Sequence, residues 1–205
     1  MRTKLLGSFL VMAGLMCGPA LAEEPRTYQT VNIFQAYNPS NILQGAAALV
    51  RSSQHADLRI ATSGLDPNAA YSVWWVVFNN PSACVPFCNP TQLGNPAVRA
   101  SVFYAAGFVT GIDGTVNLTA HLDAGALPIG VEVAADGTVA GLDPGNGFGA
   151  EIHVVLRSQG PIAAGMVSTQ IGTLIGSFKG LCPSSACPNQ QAAVFHAVAP
   201  HAQDW

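Results

Sequence analysis

The sequence predicts an all-β protein: an antiparallel β-sandwich, Greek-key or jelly-roll-like, of about eight strands. Three observations carry that expectation. Apolar runs of strand length recur along the chain, clusters of Gly, Pro, Asn and Asp punctuate them at near-regular spacing, and only one short stretch, Ala46 to Val50, reads as helical.

Taken in order, Ala56, Leu58 and Ile60 alternate with Asp57 and Arg59, the two-residue period of a half-buried strand, and Gly64-Leu65-Asp66-Pro67-Asn68 follows as a turn. Tyr71 to Phe78 is apolar throughout apart from Ser72, as expected of a central strand covered on both faces. Residues 81–97 hold four prolines and a cysteine pair and read as a long structured loop. Val98 to Thr110 is the next strand, and Asp113-Gly114 predicts a hairpin joining it to Thr115 to Leu122. Asp136-Gly137 predicts a second hairpin between residues 131–133 and 138–140. After a glycine-rich loop at 141–149, Glu151 to Arg157, Met166 to Phe178 and Ala192 to Ala199 complete the set of strands.

The first 22 residues read as a secretory signal peptide. Arg2 and Lys4 precede an apolar run from Leu5 to Cys17, and Ala20-Leu21-Ala22 supplies small residues for cleavage before Glu23. A run of about 13 residues is too short to span a bilayer. The expectation is an extracytoplasmic product, periplasmic or secreted, with residues 23–205 forming one domain and no transmembrane segment after cleavage.

Cleavage would leave 6 basic residues, 8 less Arg2 and Lys4, against 11 acids, moving the formal charge from −3 to −5. That balance argues against a nucleic-acid partner. Charged residues are only 9% of the chain, against about 25% in ordinary soluble proteins. Such a surface suits close contact with other molecules, and the partner classes left open are a small molecule, a glycan or an envelope protein.

Four cysteines follow the signal segment: Cys84, Cys88, Cys182 and Cys187. An even number at an oxidising address reads as two disulfides; three connectivities are possible, and local pairing of 84 with 88 and 182 with 187 is preferred. The rival, a four-cysteine zinc site, is disfavoured by spacings wider than C-x2-C.

The familiar catalytic words are missing: there is no G-x-S-x-G, no H-E-x-x-H and no P-loop, so a catalytic role is not expected and no catalytic residue is assigned. Copper or zinc remains open through five histidines, although none forms the H-x-H pair that shares one strand face. The metal candidates are His153, with Glu151 two residues away on the same face as a partner able to fix its tautomer, and His196. The competing reading makes Glu151, His153 and Arg157 a polar row on a solvated or loop-covered face, with Glu151 and Arg157 paired, and makes His196 a core residue between Val194 and Val198. His55, His121 and His201 read as surface or terminal residues, and Trp74-Trp75 as core rather than a sugar-stacking platform.

Two segments, Gly64-Leu65-Asp66-Pro67 with Tyr71 to Pro81 (YSVWWVVFNNP), and Gly149 to Pro161 (GAEIHVVLRSQGP), resemble a family of uncharacterised secreted bacterial β-rich proteins. The resemblance implies an all-β fold and no established activity. Relatives commonly read R-S-H-G-P where this chain has Gln159, and on that reading the loss of an imidazole weakens a shared metal site. The sequence therefore favours an exported, non-catalytic binding or envelope-associated sandwich module, with a copper- or zinc-binding or redox-related protein as the alternative.

Overall fold

The computed structural model describes residues 24–36, 38–134, 141–174, 178 and 188–199. The proposed signal segment, the Asp136-Gly137 turn, Cys182, Cys187 and His201 lie outside the described residues. The described chain is almost entirely β: β1 (Thr27–Gln35), β2 (Asn38–Arg51), β3 (His55–Thr62), β4 (Ala69–Phe78), β5 (Ala100–Val109), β6 (Val116–Asp123), β7 (Val131–Ala134), β8 (Glu151–Pro161) and β9 (Asn189–Phe195), with one short helix, α1 (Val167–Ile171), before β9. All-β antiparallel architecture is thus what the strand-length runs encode.

The nine strands form one continuous sheet in the order β6-β3-β2-β1-β9-β8-β4-β5-β7, antiparallel at every step. Its two ends fold over each other around a shared core. Leu49 of β2 and Leu58 and Ile60 of β3 belong to the same buried cluster as Val73, Trp75 and Val77 of β4, Ile152, Val154 and Leu156 of β8, and Phe195 of β9. The sandwich is therefore one sheet bent double, not two sheets meeting face to face.

The bend lies between β1 and β9, which pair only at Phe34 with Ala192 and Gln35 with Gln191. Side chains span the rest of the gap. Gln191 Nε2 donates to the Ser63 carbonyl at 2.8 Å and Thr62 Oγ1 donates to Gln191 Oε1 at 2.8 Å, while Gln29 Nε2 donates to the His196 carbonyl at 3.0 Å. Fully buried Arg51 reaches across from β2, donating to the carbonyls of Ala150 at 2.7 Å and Phe195 at 2.9 Å. Gly147 lets that loop lie against the end of β2, because a Cβ there would sit 1.9 Å from the Ser52 carbonyl oxygen.

Three expectations need correction. Ala46 to Val50 is not helical but the middle of β2, hydrogen-bonded to β1 and β3 on either side, with Ala47 and Leu49 turned into the core; pairing on both edges overrides alanine's helix propensity. The Asp113-Gly114 turn does not close a hairpin. Both edges of β5 are taken, by β4 and β7, and β6 pairs with β3, so the turn is a crossover between the two halves. Of the two positive φ angles that a two-residue hairpin turn needs, Gly114 has one, at +63°, and Asp113 does not; Asp113 instead accepts from Thr115 N, and the turn packs on Leu65, whose amide donates to the Gly114 carbonyl. Lastly, the run from Met166 begins as α1 rather than a strand, with buried Gln170 donating to the Gln159 and Pro161 carbonyls.

Candidate functional site

On the half of the sheet built by β9, β8, β4, β5 and β7, alternate residues point away from the core and form the floor of a groove of about 630 Å³. The antiparallel register lays this floor out in rows. Val102, Val76, His153 and Val194 stand side by side across β5, β4, β8 and β9, and Trp74, Val155 and Ala192 make the next row. One wall is the 81–97 loop through Phe87, Pro90 and Leu93, and the other is the β1–β2 connection through Phe34 and Pro39.

The loop wall is fixed to the sheet. Cys84 is disulfide-bonded to Cys88, the local pairing expected, and Cys88 is buried in a small cluster with Phe78, Val98 and Ala100. Phe87 remains exposed at the rim, and α1 sits outside the groove lining, over β4 and β5.

Polar groups enter the groove at two places. At one end, opposite Phe78 in the β4–β8 register, Glu151 uses both carboxylate oxygens: Oε1 lies 2.7 Å from His153 Nε2, and Oε2 lies 2.8 Å from His196 Nδ1. The residue is only 8% exposed, and the Phe78 ring packs 4.9 Å from the His153 ring, centroid to centroid. Burial pushes the Glu151 carboxyl up, but the hydrogen bonds from His153 and His196 outweigh it and hold the group below the ordinary carboxylate value.

The three side chains named from the sequence as metal candidates thus meet. His196 is not the core residue of the competing reading: it lies just past β9 with its side chain 77% exposed. Glu151 does not pair with Arg157 either.

Arg157 marks the second polar place. Its guanidinium lies 4.7 Å over the Trp74 ring, bonds Glu132 at 2.8 Å and donates through Nε to Asn189 Oδ1 at 2.9 Å. Trp74 and Trp75 are both buried, on opposite faces, but only Trp75 lies in the main core as expected; Trp74 lies in the groove floor under Arg157. No bare indole platform for a sugar exists at this pair.

Gln159 lies six residues beyond His153 on β8, roughly 20 Å along the strand. Fully buried, it donates to Ser72 Oγ at 2.6 Å and accepts from Phe178 N at 2.6 Å. An imidazole at this position would be far from His153, so its replacement removes nothing from the groove. The carboxylates of Asp113 and Asp143 are engaged away from Glu151, with Thr115 and with Arg99 at 2.7 Å respectively.

Glu151 should also carry part of the acid stability. A carboxylate depressed in the folded state contributes stability present above its unfolded value, 4.5, and lost as pH falls below that through the folded value. Glu151→Gln should be about 1 to 2 kcal/mol less stable at neutral pH and should lose less on acidification than the parent. Denaturant midpoints measured downward from pH 6 read this directly; parallel curves for the two proteins would exclude it.

One cluster had no weight in the sequence reading. On the other half of the sheet, His55 and Asp57 of β3 face His121 and Asp123 of β6, with His55 opposite Asp123 and Asp57 opposite His121. Hydrogen bonds to Asp57 and Asp123 hold the His121 imidazole above its ordinary value. The signal that finds this cluster is H-x-D on two strands, which puts a His and an Asp on one face of each.

No family model matches the chain, and no curated protein and no solved structure is similar to it.

Proposed function

We propose that this protein is an exported, non-catalytic binding module that takes a small amphipathic molecule into the groove, its apolar body over Val76, Val155 and Val194 and its polar end at Glu151, His153 and His196. The observation that carries this reading is a groove of about 630 Å³ whose floor is aliphatic and aromatic with two compact polar places, a volume and lining ordinary for small-molecule sites. Export rests on the leader-like first 22 residues.

The lining favours an apolar molecule over a glycan, since the Trp74 face is already covered by Arg157.

The test is titration with a neutral naphthylamine fluorophore, competed by a medium-chain fatty acid. Saturable one-to-one binding is expected, weakened at least tenfold in Val194→Trp, which fills the floor beside His153. Absence of saturable binding, or equal affinity in the filled variant, would refute the proposal. Glu151→Gln should strengthen binding of the fatty acid more than that of the fluorophore, because only the acid brings a second negative charge beside the Glu151 carboxylate.

A further inference from the structure

We propose that His55, Asp57 and His121, at the β3–β6 edge of the sheet, form a binding site for one borderline divalent transition-metal ion, with Zn²⁺ as its probe. Two antiparallel strands each carry H-x-D on their outward face, so two imidazoles and two carboxylates alternate at the corners of a square.

Asp57 sits between the two rings, its Oδ1 2.6 Å from His121 Nδ1 and its Oδ2 3.5 Å from His55 Nε2. Donors on one tetrahedral zinc at 2.0–2.1 Å stand roughly 3.3 Å apart. The His55–Asp57 separation already matches, and the His121–Asp57 separation needs to open by roughly 0.7 Å, the replacement of a shared proton by a metal ion. The ring centroids are 5.6 Å apart, close to the roughly 5 Å of two imidazoles on one tetrahedral ion. Among the described residues no group of three His, Cys, Asp or Glu already surrounds a metal-sized point, so binding proceeds by small rotations of exposed side chains.

The surrounding groups distinguish this cluster from the groove. A metal-bound imidazole is ordinarily fixed through its other nitrogen by an oxygen. His121 Nε2 lies 2.8 Å from Asp123 Oδ1, and His55 Nδ1 lies 2.9 Å from Ser52 Oγ. Ser52 Oγ also accepts from the Gln54 and His55 amides at 3.1 and 3.2 Å, which fixes the hydroxyl beside the His55 ring. In the groove, the second nitrogens of His153 and His196 have no such oxygen among the described residues. Of the two carboxylate-bridged histidine pairs among the described residues, only the β3–β6 pair carries the supports that metal-ligating rings use. Partial exposure of Asp57 and His121 leaves room for solvent as the remaining ligand.

Calorimetric titration of untagged, chelator-treated protein with ZnCl₂ tests the assignment, on a His153→Ala/His196→Ala background that removes the groove imidazoles. One equivalent of Zn²⁺ should bind, at least tenfold more weakly in His55→Ala and in His121→Ala, and about tenfold more weakly in Asp123→Asn, which alters only the support of His121. Asp57→Asn, close to isosteric, should lose binding with the far-ultraviolet circular dichroism unchanged, separating ligation from folding. No stoichiometric binding on that background, or binding indifferent to these four substitutions, would overturn the assignment; loss only when the groove histidines are removed would move the metal to the groove.

Discussion

Replacing Arg51 with methionine should lower the stability of the protein by about 3 kcal/mol and its Tm by roughly 6 to 12 °C. Methionine keeps most of the volume and the apolar stem, so the effect isolates the guanidinium. That group is fully buried and pushed down to about 10, burial being the cause and the neighbouring Glu151 charge opposing it. It stays protonated at neutral pH, which gives it two good charge-assisted bonds, to the Ala150 and Phe195 carbonyls, at about 1.5 to 3 kcal/mol each. Against those stands the cost of keeping a cation out of water. For a buried ion pair, apolar replacement of both partners is often neutral. Here the partners are backbone carbonyls, which no substitution removes. Methionine leaves them buried and without this donor, and they lie where β1 and β9 have parted, so no strand can supply the missing N–H. Arg51→Lys should recover only part of the loss, because one ammonium cannot span the fork between Ala150 and Phe195. Thermal unfolding of the three proteins decides the matter; a loss below about 1 kcal/mol in the methionine variant would mean that the bend is held by apolar packing alone.

Arg51 also marks the limit of what the sequence discloses. The strands read correctly, β3 to β8 and the second half of β9, are led by those whose burial is written locally: alternation in β3, and a nearly continuous apolar run in β4, which is flanked by β8 and β5. β1 was not legible because TYQTVNIFQ mixes polar residues into most positions and buries only Thr27 and Ile33. The Asp113-Gly114 pair encodes a tight turn, and a turn does not say whether its flanking strands pair with each other.

The candidate site divides along the same line. Glu151 and His153 share a face by the two-residue period, which is local information, and their hydrogen bond follows. His196 joins them because β8 and β9 pair with Ile152 opposite Phe195, a register that no pattern near residue 196 announces. The β3–β6 square escaped for a narrower reason: a search for H-x-H finds two ligands on one strand, whereas here each strand supplies one histidine and its carboxylate.

Gln159→Leu should cost about 2 to 3 kcal/mol, and Gln159→His less than about 1. The Gln159 amide is fully buried and works in both directions, donating through Nε2 to Ser72 Oγ and accepting through Oε1 from Phe178 N. Ser72 Oγ also accepts the Trp74 indole N–H at 2.7 Å, so the chain of bonds runs from α1's neighbourhood to the groove floor. Leucine has about the right size but neither a donor nor an acceptor, and the Phe178 amide loses a 2.6 Å partner in a dry site. A neutral imidazole offers one donor and one acceptor in a ring of similar volume and can replace the amide at both contacts. Gln and His are then two ways to close the same internal network, with no ligand required. Chemical denaturation of the two variants separates the readings, because a network needs the donor–acceptor pair whereas simple packing needs only the volume. Equal stability of the leucine and histidine variants would assign position 159 to packing. A histidine variant that also gained tight metal binding would return it to the role first inferred from the resemblance.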